Sequence, residues 1–168
     1  MATFQKITPN LWFDDQAEDA VKFYTSIFKN SGIGRISRYG KAGKEVHGMK
    51  EGTVMLIEFQ LEGQNFTALN GGPVFKFNEA MSLVINCENQ QEIDYYWDRL
   101  TPGGDEKSQV CGWLKDKYGV SWQVVPTAMA EMMIDSDQEK KDRVMNELLK
   151  MKKLDLEQLK HAFEGVPA

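Results

Sequence analysis

The side chains that could do chemistry in this sequence are few and scattered. Glu58 interrupts the apolar run VMLIEFQ, whose strand periodicity sets Met55, Ile57 and Phe59 on one face and Val54, Leu56, Glu58 and Gln60 on the other. Burial would raise its pKa toward neutrality and make it a general base; an exposed or salt-bridged strand glutamate is the alternative. Cys111 is a candidate nucleophile with no histidine partner in view, since His47 sits in a loop pattern and His161 in a C-terminal helix pattern. Gln123 stands between Trp122 and Val124 in VSWQVVP, an amide able to hydrogen-bond a ligand or a neighbouring strand. Gly71 and Gly72 in NGGPVFKFN superficially resemble a phosphate loop. No helix start follows to present N–H groups, so this stretch reads as a turn.

The elements that must position these residues recur. ITPNLWFDDQAEDAVKFYTSIF from Ile7 and MSLVINCENQQEIDYYWDRL from Met81 align at a shift of 74 residues, matching Thr8 with Ser82 and Leu11 with Ile85. Each copy is a short strand entering a helix. Asp15 to Glu18 and Asn89 to Glu92 have capping-box spacing. Apolar stripes predict the buried helix faces: Ala17, Ala20, Val21, Tyr24, Ile27 and Phe28 in the first copy, Ile93, Tyr96, Trp97 and Leu100 in the second. Strands follow each helix, GRISRYG, TVMLIEFQLEG and QNFTALNGG, then SQVCGWLKD and VSWQVVP. This is an α+β pattern of two duplicated modules, expected at residues 1–74 and 75–127, with a helical tail at 128–168. In the tail, Ser136 to Glu139 is expected to open a helix running to about Lys152, and Asp155 to Gln158 another ending at Gly165. Its methionines form a core or subunit-contact seam.

Bulk properties exclude some function classes. A net charge of −5 and no basic patch argue against nucleic-acid binding. No apolar run is long enough to span a membrane, and MATFQKITPN lacks a secretory core. Two isolated cysteines, Cys87 and Cys111, imply free thiols and a cytoplasmic location.

ALNGGPVFKFNEAMSLVINCENQQEIDYYWDRL followed by CGWLKDKYGVSWQVVP closely resembles the PhnB-like branch of the vicinal oxygen chelate superfamily, across roughly residues 5 to 165. That superfamily includes glyoxalase I, extradiol dioxygenases and bleomycin-resistance proteins; the branch is often labelled 3-demethylubiquinone-9 3-methyltransferase. The resemblance implies paired βαβββ modules, each a cupped half-barrel around a cavity, and a homodimer. Metal-dependent members carry ligands, usually His or Gln then Glu, on the first and last strand of each module. Those positions fall here on Thr8 (or Pro9), Ala68 (or Asn70), Ser82 and Gln123, and none is His, Asp or Glu. One amide and two hydroxyls do not hold a transition metal strongly, so no metal and no cofactor are expected.

With the cavity placed as in that superfamily, strand periodicity lines it with Asn10, Trp12, Glu58, Ser82, Trp113, Gln123, Asn70 and Cys111. Ile7, Pro9, Leu11 and Phe13 take the opposite face. Aromatic walls with a few polar groups suit a small, partly apolar organic ligand. Glu58 is the candidate catalytic base, the others ligand-binding. The expected function is small-molecule binding in a metal-free cavity, with turnover or, alternatively, as resistance-type sequestration. Methyl transfer fits poorly: the first strand runs into DDQAED, and no glycine-rich nucleotide loop occurs.

Overall fold

The computed structural model describes residues 5–166 and divides into two compact units, Met1–Phe77 and Asn78–Ala168.

In the first unit, β1 (Asn10–Phe13), α1 (Ala17–Ile27), β2 (Gly32–Arg38), the single turn α2 (Lys44–His47), β3 (Val54–Leu61) and β4 (Gln64–Asn70) follow one another. The sheet order is β1-β4-β3-β2, with β1 parallel to β4 and the other pairs antiparallel. The β3–β4 hairpin closes through Glu62 and Gly63, both at positive φ (46° and 80°). A two-residue loop needs that backbone to match the strand twist, and glycine supplies it without strain at its second position. Helix α1 packs on β3 and β4. The predicted stripe is buried in full: Ala17, Ala20, Val21, Tyr24, Ile27 and Phe28 lie inside with Ile57, Phe59, Phe66 and Ala68. Each large member of that set is worth ~1.5–3 kcal/mol on full burial.

The start of α1 departs from expectation. Its N-cap is Gln16, with no side-chain cap bond, so Asp15 and Glu18 form no capping box. Asn70, at the end of β4, takes over: its Oδ1 accepts from the Ala17 N–H at 2.8 Å, and its Nδ2 donates to the Val54 carbonyl at 3.1 Å. A long-range amide thus satisfies a helix-start donor that local residues leave open. Ile7 is exposed rather than packed, because β1 begins only at Asn10.

The second unit contains β5 (Leu83–Cys87), α3 (Gln90–Leu100), β6 (Trp113–Lys115), β7 (Ser121–Pro126), α4 (Thr127–Ile134), α5 (Gln138–Leu148) and α6 (Leu156–Glu164). Its sheet order is β5-β7-β6, with β5 parallel and β6 antiparallel to β7. The second module therefore has three strands among the described residues, not four. A turn and a 3-10 segment at Glu106–Ser108 occupy the place of the missing one. Asn89 caps α3 as predicted, accepting from Glu92 N at 3.0 Å, and Ile93, Trp97 and Leu100 are buried beneath it, while Tyr96 is only half-buried. The β6–β7 turn is built around Asp116, a buried carboxylate. It accepts from the N–H groups of Tyr118 (2.8 Å) and Val120 (3.1 Å) and from the Trp122 indole (2.8 Å).

SQVCGWLKD is not one strand. Cys111 and Gly112 adopt positive φ (51° and 82°), and Val110 bridges back to Trp113 in a tight turn. The freed N–H groups of Cys111 and Gly112 donate to the carbonyls of Met151 and Lys152, both at 2.8 Å. That backbone clamp ties the tail to the sheet. The tail packs within its own unit: Met132, Val144, Leu148, Leu154 and Leu159 form a core with Val125, flanked by Met133 and Met151. Asp137, not Ser136, caps α5, which stops at Leu148 rather than near Lys152; α6 ends at Gly165 as expected.

Candidate functional site

Alternation along the strands leaves one face of the first sheet free of α1. Asn10 and Trp12 of β1, Glu58 and Gln60 of β3, and Thr67 of β4 belong to it, alternating with the buried Leu11, Phe13, Ile57, Phe59 and Ala68. Because β1 and β4 run parallel with Asn10 opposite Thr67, these two side chains meet, Thr67 Oγ1 donating to Asn10 Oδ1 at 2.7 Å. Across β2 and β3, Arg35 grips Glu58 in a bidentate pair, Nε to Oε2 at 2.8 Å and Nη2 to Oε1 at 2.6 Å. A register shift between Ile33 and Ile36 brings Arg35 to this place, and Gly34 makes room for it, since a Cβ there would lie 3.1 Å from the Glu58 carbonyl. At the sheet end the Gln5 amide mimics a strand, donating to Asn65 O at 3.0 Å and accepting from Asn65 N at 3.1 Å. Gln5, Thr8, Arg35, Glu58, Gln60, Asn65 and Thr67 line an open groove of about 680 Å³ that the half-exposed Ile33 borders. Phe59 and Phe66 reach it only marginally, their side chains being buried on the α1 side, and the expected Asn10 and Trp12 are not part of its lining.

Three of the expected cavity residues take other roles. Glu58 lies on the open face but is not buried: 39% of its side chain is exposed, and the hydrogen bond from Arg35 holds its carboxyl below the ordinary glutamate range. The predicted upward shift is reversed because the hydrogen bond from Arg35 outweighs desolvation, with the guanidinium charge adding to it. Asn70 points to the helix side, 6% exposed, and caps α1. The expectation was off by one position, which in a strand exchanges the faces. Thr67, beside Asn10, holds the open-face position instead of Ala68 or Asn70. Trp12 has the expected parity, but its indole N–H donates to Gly72 O at 2.9 Å and its ring meets Phe75 edge-on. A Cβ on Gly71 would fall 2.2 Å from that ring, so the glycine pair seats Trp12 rather than an anion.

In the second unit, Val84, Gln123 and Trp113 share one register row across β5, β7 and β6. Gln123 Nε2 donates to Ser82 Oγ at 2.9 Å, so the amide ties β7 to the residue just before β5. Trp113 is half-buried on this row. Cys111 lies against the C-terminal helical core, held there by its left-handed backbone. Cys87 is a buried free thiol pushed up to about 12 by desolvation, with the nearby Glu92 charge adding to it. His47 is occupied locally, accepting from Met49 N at 3.0 Å and stacking on Tyr39.

The donor chemistry can be tested against the metal ion of the metal-dependent superfamily members. Thr8, Asn10, Thr67, Ser82 and Gln123 offer hydroxyls and amides, and Asn10–Thr67 and Gln123–Ser82 are already bonded to each other. No cluster of three His, Cys, Asp or Glu exists among the described residues. These groups do not fit a transition-metal site.

Arg35 and Thr67 escaped the sequence reading. The signal for Arg35 was partial: pairing GRISR with VMLIEFQ as antiparallel neighbours brings an arginine near a glutamate, but only the bulge between Ile33 and Ile36 sets the two together.

The family model described as 3-demethylubiquinone-9 3-methyltransferase matches residues 5–125 and stops before α4, so the tail lies outside the match, short of the extent that the sequence resemblance implied. A PhnB protein from Bacillus cereus, described with the same methyltransferase name, is 42% identical over 73% of this chain and all of its own, at a TM-score of 0.62. A Pseudomonas aeruginosa protein is 16% identical over 73% of this chain and 98% of its own, with a TM-score of 0.56, and shares the fold. No curated protein matches the chain significantly. The chain belongs to the family described as 3-demethylubiquinone-9 3-methyltransferase and is similar to its PhnB member.

Proposed function

We propose that the protein binds a small, partly apolar organic molecule on the open face of the first sheet, through protein groups rather than a protein-held metal ion. The observation that carries this reading is the groove of about 680 Å³, with the exposed Ile33 beside the Arg35–Glu58 pair and the hydroxyls of Thr8 and Thr67. Its size and mixed lining are those of small-molecule sites. Capture without chemistry, as in a sequestering protein, is favoured over proton abstraction. A glutamate held ionised below its ordinary range is a poor general base at neutral pH. Turnover remains the second reading, with Glu58 as its candidate base.

Methyl transfer has little support. The first strand ends at Phe13 and enters Asp14 and Asp15, and the sheet is mixed rather than a parallel doubly wound one, so a nucleoside cofactor has no glycine-rich turn to rest on. A homodimer is part of the proposal, with Met145 and Leu149, which stay exposed on α5 and at its end, as contact candidates. So is a cytoplasmic location, which free Cys87 and Cys111 support. No helix of the described residues is long and apolar enough to cross a membrane.

Native mass spectrometry of the purified full chain tests the reading. A retained organic mass that is lost on denaturation is expected, at two chains per particle. Stoichiometric zinc, nickel, iron or manganese in the same sample would overturn it. Incubation with the released compound then separates the two forms: unchanged mass means capture, a changed mass means turnover.

A further inference from the structure

Among the described residues, the groove is lined by two charged side chains, and they are of opposite sign and in contact. Arg35 uses its Nε and Nη2 edge on Glu58, which consumes two of the five N–H donors of a guanidinium. It has no other partner among the described residues. Three donors, including both on Nη1, stay open, and 88% of the side chain is exposed. Glu58 likewise accepts one hydrogen bond on each oxygen, all from Arg35, and an ionised carboxylate has about four lone-pair sites. Each member of the pair is therefore half-used.

A wall of this kind selects by charge pattern. An anion alone meets Arg35 but is repelled by Glu58 beside it, and a cation alone meets the converse. A neutral polar molecule leaves the charge-assisted donors and acceptors without matching partners. A molecule with both charges a few bonds apart satisfies the two at once. Stability alone asks little of this pair, because exposed ion pairs contribute little to folding. Their place on the lining of an open groove is better explained by a ligand.

Resting on the binding function proposed above, we infer that the ligand is a small zwitterion, a carboxylate with a neighbouring primary or secondary ammonium, as in a free amino acid. Its carboxylate takes the open Nη1–Nη2 edge of Arg35. Its ammonium donates to the open lone pairs of Glu58. An apolar substituent has the exposed Ile33 to lie against.

Amide chemical-shift mapping of the isotopically labelled full chain tests this, with L-leucine, L-phenylalanine, acetate, n-propylamine and N-methylacetamide as probes. The amino acids are expected to shift the amides of Gly34, Glu58, Gln60 and Thr67, at least tenfold more tightly than acetate, propylamine or the neutral amide. Arg35→Gln and Glu58→Gln, both at exposed positions, should each weaken amino-acid binding about tenfold while leaving the rest of the spectrum in place. If N-methylacetamide binds the groove as well as the amino acids, or either variant binds them undiminished, the zwitterion assignment is wrong and the groove stands. If no probe shifts those amides, the assignment and the groove fall together.

Discussion

Replacing Asn70 with alanine removes two hydrogen bonds from inside the first unit. The Ala17 N–H loses its only cap, since Gln16 supplies no side-chain bond, and the Val54 carbonyl loses the donor on Nδ2. Loss of a helix cap costs ~0.5–2 kcal/mol, and stranding a buried polar group ~1–3 kcal/mol. Neither group gains ready access to water, because Ala17 and Val54 are themselves buried. The two losses share one side chain, so their sum is taken as about 2–4 kcal/mol. Urea unfolding of Asn70→Ala followed by circular dichroism should show that loss as a midpoint drop of ~1–2 M at a slope of ~2 kcal/mol per M. Asn70→Asp keeps the acceptor for Ala17 and places a negative charge at a helix start, but sets an oxygen against Val54 O. It should fall between wild type and alanine. An Asn70→Ala stability within ~0.5 kcal/mol of wild type would refute the capping role, and would return Asn70 to the list of ligand-facing residues.

Three other expectations follow from the same structure. Asp116→Asn turns one acceptor into a donor facing Tyr118 N, Val120 N or the Trp122 indole, and should cost ~2–3 kcal/mol in thermal or urea unfolding; a loss under ~0.5 kcal/mol contradicts the turn assignment. The Cys87 thiol, at about 12, should resist iodoacetamide in the native protein at pH 8 and react only on unfolding, read by mass spectrometry of the digested protein; fast native labelling would show that it is not buried. Arg35 lowers the pKa of Glu58, so the ion pair should be intact above the ordinary glutamate range and be lost only as pH falls through the lowered folded value. Titration of the Glu58 side-chain carbon by NMR checks the sign, and a midpoint above that range contradicts it.

Element order and the two helix faces were legible because each stripe follows a 3.6-residue period and each module repeats it. What was illegible depended on contacts distant in sequence. Asp15 and Glu18 have the spacing of a capping box, yet α1 starts at Ala17, where Asn70, 53 residues on, supplies the acceptor. Nothing local announces that choice. It also explains the misplaced site residue: NFTALN alternates correctly, but only the parallel register with β1 decides that Thr67 and not Asn70 accompanies Asn10. Cys111 failed for another reason. Its strand pattern is sound up to a left-handed pair at Cys111–Gly112, which the clamp to Met151 and Lys152 holds in place. Glu58 was correctly placed on the open face. Its ionisation was not, because that required seeing Arg35 across the bulge.

The central claim is that the open face of the first sheet is where a small molecule binds. Crystals of the full chain soaked through a library of small organic fragments test it most directly. The account predicts that occupied fragments cluster between Arg35–Glu58 and Thr8–Thr67, with an apolar part against Ile33. Fragments gathered instead on the Ser82–Gln123–Trp113 row, with the Arg35 groove empty at every concentration, would contradict it.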